Sequence, residues 1–278
     1  MNNIMILLTV SGFLLGNPVS VPASASMPLT AADMSHPRGQ AFSHDGAVLV
    51  RVPEHASPEA RKRVMVQSGI DRQYYTLPSS FRSGEFPLKD GNGTYTVTLY
   101  QYEGGSSYKE LSKQVIELHL KDKNAVYLRS IQPIHWNGQM SAIQKALELT
   151  YKATSPTEKT ELIYTYLAQR FSYDYEKARS NLSPDYTPDV EATFLASKGI
   201  CYDASATFAA MLRSVGVPAK LVKGYAPDVG EFHAWNEVYI EGKGWVTMDL
   251  TFDAPYVQAG RTVEKWKDGS RYRPEASF

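Results

Sequence analysis

The strongest constraint on the fold is a pair of alternating segments separated by a glycine-rich turn. Polar or aromatic residues alternate with apolar ones in residues 232–240 and again in residues 245–252. Alternation with a period of two predicts two β-strands, and Gly242-Lys243-Gly244 between them predicts a turn. The C-terminal half therefore contains a β-hairpin, which fixes where each of its polar side chains can point.

The hairpin carries a histidine and an aspartate that can meet only in one kind of register. His233 lies on the first strand and Asp249 on the second. A slip of one residue turns a strand over, so the two side chains share a face only if the loop is odd-numbered, with three or five residues. Asp249 would then lie opposite Trp235 or Glu237. We expect the odd loop, since glycine on both sides of Lys243 permits it.

The single cysteine of the chain precedes a helical pattern. Gly199-Ile200-Cys201 leads into residues 202–215, whose apolar side chains recur at helical spacing and predict one buried face. Cys201 thus belongs to the first turn, where free N–H groups and the helix dipole favour a thiolate and could bind an oxyanion. Gly199 would let the backbone approach a substrate closely, whereas Asp203 would slightly oppose a thiolate. A small buried thiol without a function remains the alternative.

Taken together, Cys201, His233 and Asp249 form a candidate catalytic triad. A thiol nucleophile needs a base, and the base needs a partner that orients it. Each residue also has a plain structural interpretation, namely a packed cysteine, a satisfied or surface histidine and a solvated aspartate. The other histidines lack metal-ligand spacing, and no phosphate-binding loop or Gly-x-Ser-x-Gly elbow occurs. The sequence predicts no metal and no cofactor.

The region before the helical part has the pattern of a small β-domain. Residues 47–52, 94–102 and 108–120 read as strands, and Asp90-Gly91-Asn92-Gly93 and Gly104-Gly105 as turns. Strands at this spacing predict an antiparallel, Ig-like β-sandwich over residues 46–122. From residue 123 the period becomes helical, with helix starts at Ser141, at Ser155-Pro156 with Glu158 as a capping box, and at Thr187-Pro188. Residues 123–278 are predicted to form the second domain.

The first 25 residues have the features of a secretory signal peptide. They carry no charged side chain and contain an apolar run from Ile4 to Leu15, which is shorter than the roughly 20 residues of a membrane-spanning helix. Ala23-Ser24-Ala25 fits a cleavage site. A buried N-terminal helix is the alternative. Residues 26–45 are predicted to be a linker, and the mature protein is expected to be secreted or on the cell surface without stable membrane insertion.

Charge and cysteine content narrow the class of partner. Lys plus Arg equals Asp plus Glu at 29 each, and no compact basic cluster occurs, so nucleic acid is not an expected partner.

An exported chain with one cysteine cannot form an internal disulfide. The thiol of Cys201 is therefore expected to be either a buried packing residue or a functional group.

Four segments resemble the transglutaminase-like core family. They are Gly199-Ile200-Cys201-Tyr202-Asp203-Ala204, residues 217–225 with Val217-Pro218 and Gly224-Tyr225, His233-Ala234-Trp235-Asn236-Glu237-Val238-Tyr239, and Gly244-Trp245-Val246-Thr247-Met248-Asp249. The order Cys, His, Asp and the separations of 32 and 16 residues fit that core. The segment Phe171-Ser172-Tyr173-Asp174-Tyr175 is similar to the one that precedes the family's cysteine helix. The resemblance covers about 140–253.

The resemblance implies an α+β, papain-like fold and a thiol enzyme. Cys201 would be the nucleophile, His233 the base and Asp249 the residue that orients the imidazole, with an acyl-thioester formed from an amide. The Cys201 N–H is the first choice as oxyanion donor and Tyr173 a second, although core packing also explains a tyrosine there. No counterpart of the calcium sites of the large animal enzymes is recognisable, and a β-sandwich before such a core resembles exported bacterial proteins.

The expected function is cleavage or exchange of amide bonds in a protein or cell-wall peptide. Hydrolysis and transamidation differ only in whether water or an amine resolves the thioester. A non-catalytic extracellular binding module that retains the fold is the alternative from another class.

Overall fold

The structure, a computed structural model, describes residues 41–44, 46–183 and 186–278. The predicted signal peptide, residues 1–25, and residues 26–40 of the predicted linker lie outside the described residues. Within the linker range, residues 41–44 form a strand instead, because their backbone pairs antiparallel with residues 47–50 across the turn at Gly46. No helix in the described ranges is long and apolar enough to cross a membrane.

The N-terminal region consists of two antiparallel sheets that pack face to face. The strand order is β1-β2-β5 in one sheet and β4-β3-β6-β7 in the other. Alternate residues of both sheets point into one apolar core, which includes Val50, Val64, Phe86 and Leu99. The strands are β1 (Ala41–His44), β2 (Ala47–Arg51), β3 (Lys62–Ser68), β4 (Asp71–Leu77), β5 (Ser83–Pro87), β6 (Gly93–Gly104) and β7 (Ser107–Leu118).

This β-sandwich contains four strands that the sequence patterns did not single out, β1 and β3 to β5. The long hairpin of β6 and β7 was predicted, and the turn at Gly104 and Gly105 uses positive φ angles of 113° and 58° that suit glycine. The Ig-like classification stays a prediction.

The second region is mixed helix and antiparallel sheet. Its sheet has the strand order β12-β11-β10-β13, and a separate two-stranded parallel ladder joins β8 and β9. The helices are α1 (Ser141–Thr150), α2 (Pro156–Ala168), α3 (Tyr175–Arg179), α4 (Val190–Ala196), α5 (Cys201–Ser214) and α6 (Leu250–Gln258). The strands are β8 (Ser172–Tyr173), β9 (Lys198–Gly199), β10 (Ala219–Tyr225), β11 (Phe232–Ile240), β12 (Gly244–Met248) and β13 (Arg273–Ser277).

Helix α5 lies at the centre of this region. The prediction of one buried face was wrong, since every residue from Asp203 to Ser214 is buried. One side contacts β10 and β11, and the other sides contact α1, α2, α4 and α6. Small residues such as Ala206, Ala209 and Ala210 allow neighbours to approach on all sides. The start of α5 is consequently held rigidly.

The predicted start of α2 is confirmed, whereas that of α4 is not. The Ser155 hydroxyl accepts the Glu158 N–H at 3.1 Å at the start of α2, as the capping pattern predicts. The Glu158 carboxylate bonds the Thr154 N–H at 2.9 Å rather than that of Ser155. The start predicted at Thr187-Pro188 is wrong: α4 begins at Val190, because the Asp189 carboxylate accepts the Ala192 N–H and caps it, and the helix ends before Ser197, which has a φ of 49°.

A few contacts join the two regions. Phe278 packs against both apolar cores, and its ring lies 6.2 Å from that of Tyr75 in the sandwich. The guanidinium of buried Arg213 donates to the backbone carbonyls of Ala219, Arg129 and Phe278 at 2.8–2.9 Å. Arg129 in turn forms an ion pair of 3.7 Å with Glu85 of β5. Burial without a carboxylate partner lowers the pKa of Arg213 to about 9.

Candidate active site

Cys201 is the first residue of α5, as the sequence pattern predicts. Ile200 precedes it in an extended conformation, and Gly199 pairs with Tyr173 in the parallel ladder of β8 and β9. The cysteine is half-buried and free. Its sulfur therefore lies at the amino end of a helix whose remaining length is packed on all sides.

His233 and Asp249 meet because the hairpin has the odd loop. Ile240 pairs with Gly244, which leaves the three residues 241–243 as the loop, and Asn236 pairs with Met248. Continuing that register by one step brings Asp249 level with Trp235. The histidine Nε2 lies 2.9 Å from one carboxylate oxygen of Asp249 and 3.1 Å from the other. The predicted register is confirmed.

The second strand ends earlier than the alternation suggested. A strand was predicted over residues 245–252, but β12 ends at Met248 and α6 begins at Leu250. The reason is Asp249, whose carboxylate accepts the Phe252 N–H at 3.2 Å and caps the helix. The residue that faces His233 also terminates the strand.

The carboxylate of Asp249 is fully buried and has several donors. Besides His233, it accepts the Tyr272 hydroxyl at 3.3 Å and the Thr251 hydroxyl at 3.4 Å. Hydrogen bonds of this kind stabilise a charge that burial alone would oppose. Tyr272 had no signal in the sequence, because it follows Asp249 by 23 residues without any shared pattern.

The ring of His233 lies between the carboxylate and the thiol. Its Nε2 is directed at Asp249, so Nδ1 is the nitrogen left for the sulfur. Burial lowers the pKa of His233, but the hydrogen bonds to Asp249 and to Cys201, with their charges, raise it more, to about 10. The imidazole is consequently protonated across the neutral range.

Tyr173 brings a hydroxyl to the same thiol. The side chain is half-buried and its hydroxyl is hydrogen-bonded to Cys201. Burial, followed by the charge and the hydrogen bond of Cys201, raises the pKa of Tyr173 to about 12. The hydroxyl therefore keeps its proton and remains a donor at the mouth of the site.

Two aromatic rings pack behind the histidine. Trp235 is fully buried and lies nearly parallel to the imidazole, with 6.5 Å between ring centroids. The ring of Tyr272 packs on Trp235, with 5.0 Å between the ring centroids. The packing restricts the histidine ring to the plane in which it reaches both neighbours.

Asp203 does not oppose a thiolate in the way the sequence suggested. Its buried carboxylate accepts the Ile200 N–H at 2.9 Å and the Lys177 ammonium at 2.7 Å, and the Tyr186 hydroxyl also donates to it. The ion pair with Lys177 offsets its charge. The sequence missed Lys177 and Tyr186, which belong to separate elements.

Gly199 is required by an internal contact that the sequence did not indicate. A Cβ at this position would lie 2.7 Å from the Cβ of Asp203 and 2.8 Å from its carboxylate oxygen. The glycine is required by the aspartate that folds back against it, which is an internal contact. The close approach to a substrate stays a prediction.

Lys223 is a further charged group that the sequence patterns did not indicate. It lies on β10, next to Gly224, whose partner in the ladder is His233. Its ammonium sits 3.4 Å from the ring centroid of Tyr202. Burial lowers the pKa of Lys223 to about 8, and the charge of Cys201 opposes that shift.

In the described ranges, no cluster of three or more His, Cys, Asp or Glu side chains could hold a metal ion. The side chains hydrogen-bonded to Cys201 are an imidazole and a phenol. Such a set suits a nucleophile and its proton donors.

Comparison with known proteins finds a family model that matches part of the chain. Residues 143–250 match the family model of the transglutaminase-like superfamily. Kyphoscoliosis peptidase of Mus musculus is 31% identical over 121 residues, which are 40% of this chain and 18% of the mouse protein. The uncharacterised protein YebA of Bacillus subtilis is 29% identical over 125 residues, which are 38% of this chain and 17% of YebA. The chain thus spans less than a fifth of these two relatives.

Solved structures with a similar arrangement are distant in sequence. The periplasmic domain of TgpA from Pseudomonas aeruginosa has a TM-score of 0.38 at 17% identity, with 78% of this chain and 93% of that domain covered. Red sea bream transglutaminase has a TM-score of 0.34 at 13% identity, with 77% and 48% covered. The mixed helix and antiparallel sheet, together with the match of residues 143–250, confirms the α+β core of the transglutaminase-like type that the sequence predicts.

Proposed function

We propose that this protein is an exported thiol enzyme that acts on amide bonds of a protein or cell-wall peptide through an acyl-thioester on Cys201. One observation carries the proposal: the imidazole of His233 is held between the Asp249 carboxylate and the Cys201 thiol, and its pKa is raised to about 10. The match of residues 143–250 to the transglutaminase-like superfamily supports the same class of chemistry.

The resting state in this proposal is a thiolate beside an imidazolium. A protonated imidazole hydrogen-bonded to the sulfur, together with the first turn of a helix, stabilises the thiolate form. Asp249 keeps the ring oriented through Nε2 and stabilises its positive charge. The nucleophile is thereby formed before substrate arrives.

Acylation then follows in two steps. The thiolate attacks the amide carbonyl carbon, and the electron pair of the C=O bond moves to oxygen. When the tetrahedral intermediate collapses, the C–N bond breaks and the His233 imidazolium gives its Nδ1 proton to the leaving nitrogen. A thioester, a free amine or ammonia, and a neutral imidazole result.

Two donors are placed to stabilise the oxyanion. The Cys201 backbone N–H lies in the first turn of α5 and is directed at the hydroxyl oxygen of Tyr173, and that hydroxyl is also hydrogen-bonded to the Cys201 side chain. Donors of this type act where negative charge develops in the transition state. They therefore lower the activation barrier rather than strengthen substrate binding.

The thioester is resolved by water or by an amine, with neutral His233 accepting a proton from the attacking molecule. Hydrolysis is the first outcome to test, because the mouse relative is named a peptidase. Export rests on the uncharged, apolar character of residues 1–25.

The test compares the wild type with Cys201→Ala. Each is incubated with a glutamine-containing peptide and a labelled primary amine, with and without cell-wall peptide. Ammonia or new amino termini without label indicate hydrolysis, and label in the peptide indicates transamidation. Either product is expected from the wild type and absent with Cys201→Ala.

Alkylation by iodoacetamide below neutral pH separates the enzyme from a non-catalytic binding module. Rapid labelling of folded Cys201 that His233→Ala slows is expected of the enzyme. Labelling only after unfolding, together with no product in any mixture, would contradict the proposed function.

A further inference from the structure

Residues 267–272, which precede β13, pack against the end of β12 just ahead of Asp249. The Lys267 N–H donates to the Thr247 carbonyl at 2.8 Å, and the two residues form an antiparallel bridge. A Cβ on Gly269 would lie 2.8 Å from the Thr247 hydroxyl oxygen, so a larger residue there would push the segment away. The segment is therefore fixed at a point two residues before Asp249.

The side chain of Lys267 attaches the same segment to α6. Its ammonium lies 2.6 Å from a carboxylate oxygen of Asp253, which is buried one turn after Asp249. The Tyr164 hydroxyl donates to the same carboxylate. Burial raises the pKa of Asp253, whereas the hydrogen bonds from Lys267 and Tyr164 lower it. The ion pair thus holds residues 267–272 against the first turn of α6.

Tyr272 brings a hydroxyl from the end of this segment to Asp249. It donates at 3.3 Å to Oδ2, the same oxygen that lies 2.9 Å from Nε2 of His233. The other oxygen, Oδ1, accepts the Phe252 N–H at 3.2 Å. Burial, followed by the charge of Asp249, raises the pKa of Tyr272, so the hydroxyl keeps its proton and remains a donor. Each carboxylate oxygen is therefore held by a group other than the imidazole.

We propose that Tyr272 is a positioning residue that acts through Asp249, and that the attachment of residues 267–272 to β12 and α6 holds its hydroxyl in place. The inference rests on the proposed function, because the orientation of His233 matters only if Cys201 reacts as a thiolate. Without the hydroxyl, Oδ2 loses a donor that fixes its direction, and the carboxylate turns away from the ring more easily. The imidazolium is then less stabilised, and the thiolate beside it forms at a higher pH.

The charges around this contact come from several elements. Besides Lys267, the titratable groups that act on His233, Asp249, Tyr272 or the thiol are Cys201 of α5, Tyr173 of β8, Lys223 of β10, Asp253 of α6, Tyr164 of α2 and Arg271. Substitution of phenylalanine for Tyr272, or of alanine for Gly269, changes no formal charge among them. A change in the pH dependence of such a variant therefore reports the position of the carboxylate.

The test is the pH dependence of Cys201 alkylation by iodoacetamide on the folded, full chain. The reaction joins the sulfur to the CH₂ carbon of the reagent and releases iodide, so its rate follows the thiolate fraction. In Tyr272→Phe, the midpoint of the rise in rate is expected about 0.5–1 pH unit above that of the wild type. Labelling below the wild-type midpoint is then about three- to tenfold slower. Tyr256→Phe is the matched control, because it removes a hydroxyl from an exposed position of α6. It should keep the wild-type midpoint.

Gly269→Ala tests the segment with the Tyr272 hydroxyl intact. The added Cβ would displace residues 267–272 from Thr247, so the midpoint is expected to rise as it does in Tyr272→Phe. Gly138→Ala is the control, since no atom lies within 4 Å of its added Cβ. If Tyr272→Phe does not fold, the comparison of Gly269→Ala with Gly138→Ala decides the same question.

Thermal unfolding of the same samples separates position from stability. A tyrosine that only packs would lower the unfolding temperature in Tyr272→Phe and leave the labelling midpoint of the folded protein unchanged. That result, an equal rise in Tyr256→Phe, or an unchanged midpoint in Gly269→Ala would overturn the inference and leave the proposed function standing. A wild-type midpoint at the ordinary thiol pKa of about 8.5 would overturn the proposed function, and the role of Tyr272 with it.

Discussion

The two regions of the molecule differ in what they bury. In the described part of the sandwich, Lys62 and Thr98 are the buried polar residues, and the Lys62 ammonium is satisfied by the carbonyls of Ser57 and Ala60. The helix-and-sheet core buries Asp203, His233, Asp249 and other charged or polar side chains around one cysteine. A fold that needed only stability would avoid this, because each buried charge requires dedicated partners.

The buried polar cluster is weak evidence for stability and fits the proposed catalysis. An apolar core of similar volume is often as stable as a buried ion pair or more so. Substitutions in the cluster should therefore change catalysis far more than substitutions in the sandwich.

The largest effect is expected for Asp249→Asn. Asparagine can still cap α6, so the fold should be retained, but it cannot stabilise the imidazolium. We expect kcat/KM to fall about 10³–10⁴-fold. Steady-state kinetics measure kcat/KM, and thermal unfolding of the same sample measures stability. A large loss of stability in Asp249→Asn would contradict the expectation that this residue affects catalysis rather than folding.

The same variant has a pH signature. The His233 pKa is about 10, so the imidazolium that protonates the leaving amine is present below that value and lost as pH rises through it. In Asp249→Asn the pKa should move down towards its ordinary value near 6.5, and the alkaline limb of kcat/KM should move down with it. A limb that stays near pH 10 would contradict this role for Asp249.

Tyr173→Phe is expected to have the next largest effect. Removal of one oxyanion donor typically lowers kcat by about 10²-fold, with little change in KM. Tyr175→Phe is the matched control, since Tyr175 is exposed and its ring neighbours that of Tyr173 at 5.0 Å. An equal effect of the two substitutions would remove Tyr173 from the mechanism.

Gly199→Ala should have a smaller effect through position rather than chemistry. The new Cβ would push Asp203 away from Ile200 and Lys177, and we expect about a tenfold loss of kcat/KM with a destabilisation of about 1–3 kcal/mol. Gly138→Ala serves as the control because no atom lies within 4 Å of its added Cβ. Full activity of Gly199→Ala would show that the start of α5 tolerates displacement.

The smallest effect on catalysis is expected for Leu99→Ala in the sandwich core. Leu99 is buried, so truncation should lower the free energy of unfolding by about 2–5 kcal/mol. The value of kcat/KM should stay within about twofold at a temperature where the protein is folded. Leu111→Ala, at a half-buried position of the same sandwich, should destabilise less. A large loss of kcat/KM in Leu99→Ala would contradict the expectation that the sandwich affects stability but not catalysis.

The parts of the structure that could be predicted depend on short-range signals. Alternation and a glycine-rich turn predicted the hairpin, and a parity argument then predicted the three-residue loop that brings His233 to Asp249. Helical spacing after Cys201 predicted the helix that begins there. Each of these signals lies within one element or between two adjacent ones.

The parts that were missed depend on contacts between distant segments. Lys177 and Tyr186 reach Asp203 from before α5, and Tyr272 reaches Asp249 from beyond α6. No periodicity links such residues along the chain. The strand was extended past Asp249 for a related reason: the alternation continues to residue 252, and only the hydrogen bond to Phe252 N–H reveals the helix start.

Asp249 has two contacts with different requirements: it caps α6, and its carboxylate faces His233. The turn into α6 requires an oxygen at that position, which an uncharged asparagine or serine would also supply. The cap does not need the negative charge that Asp249 buries. In a relative without the proposed catalysis, a neutral residue at this position would leave the helix in place, so a charged or neutral residue here would distinguish the proposed enzyme from a binding module with the same fold.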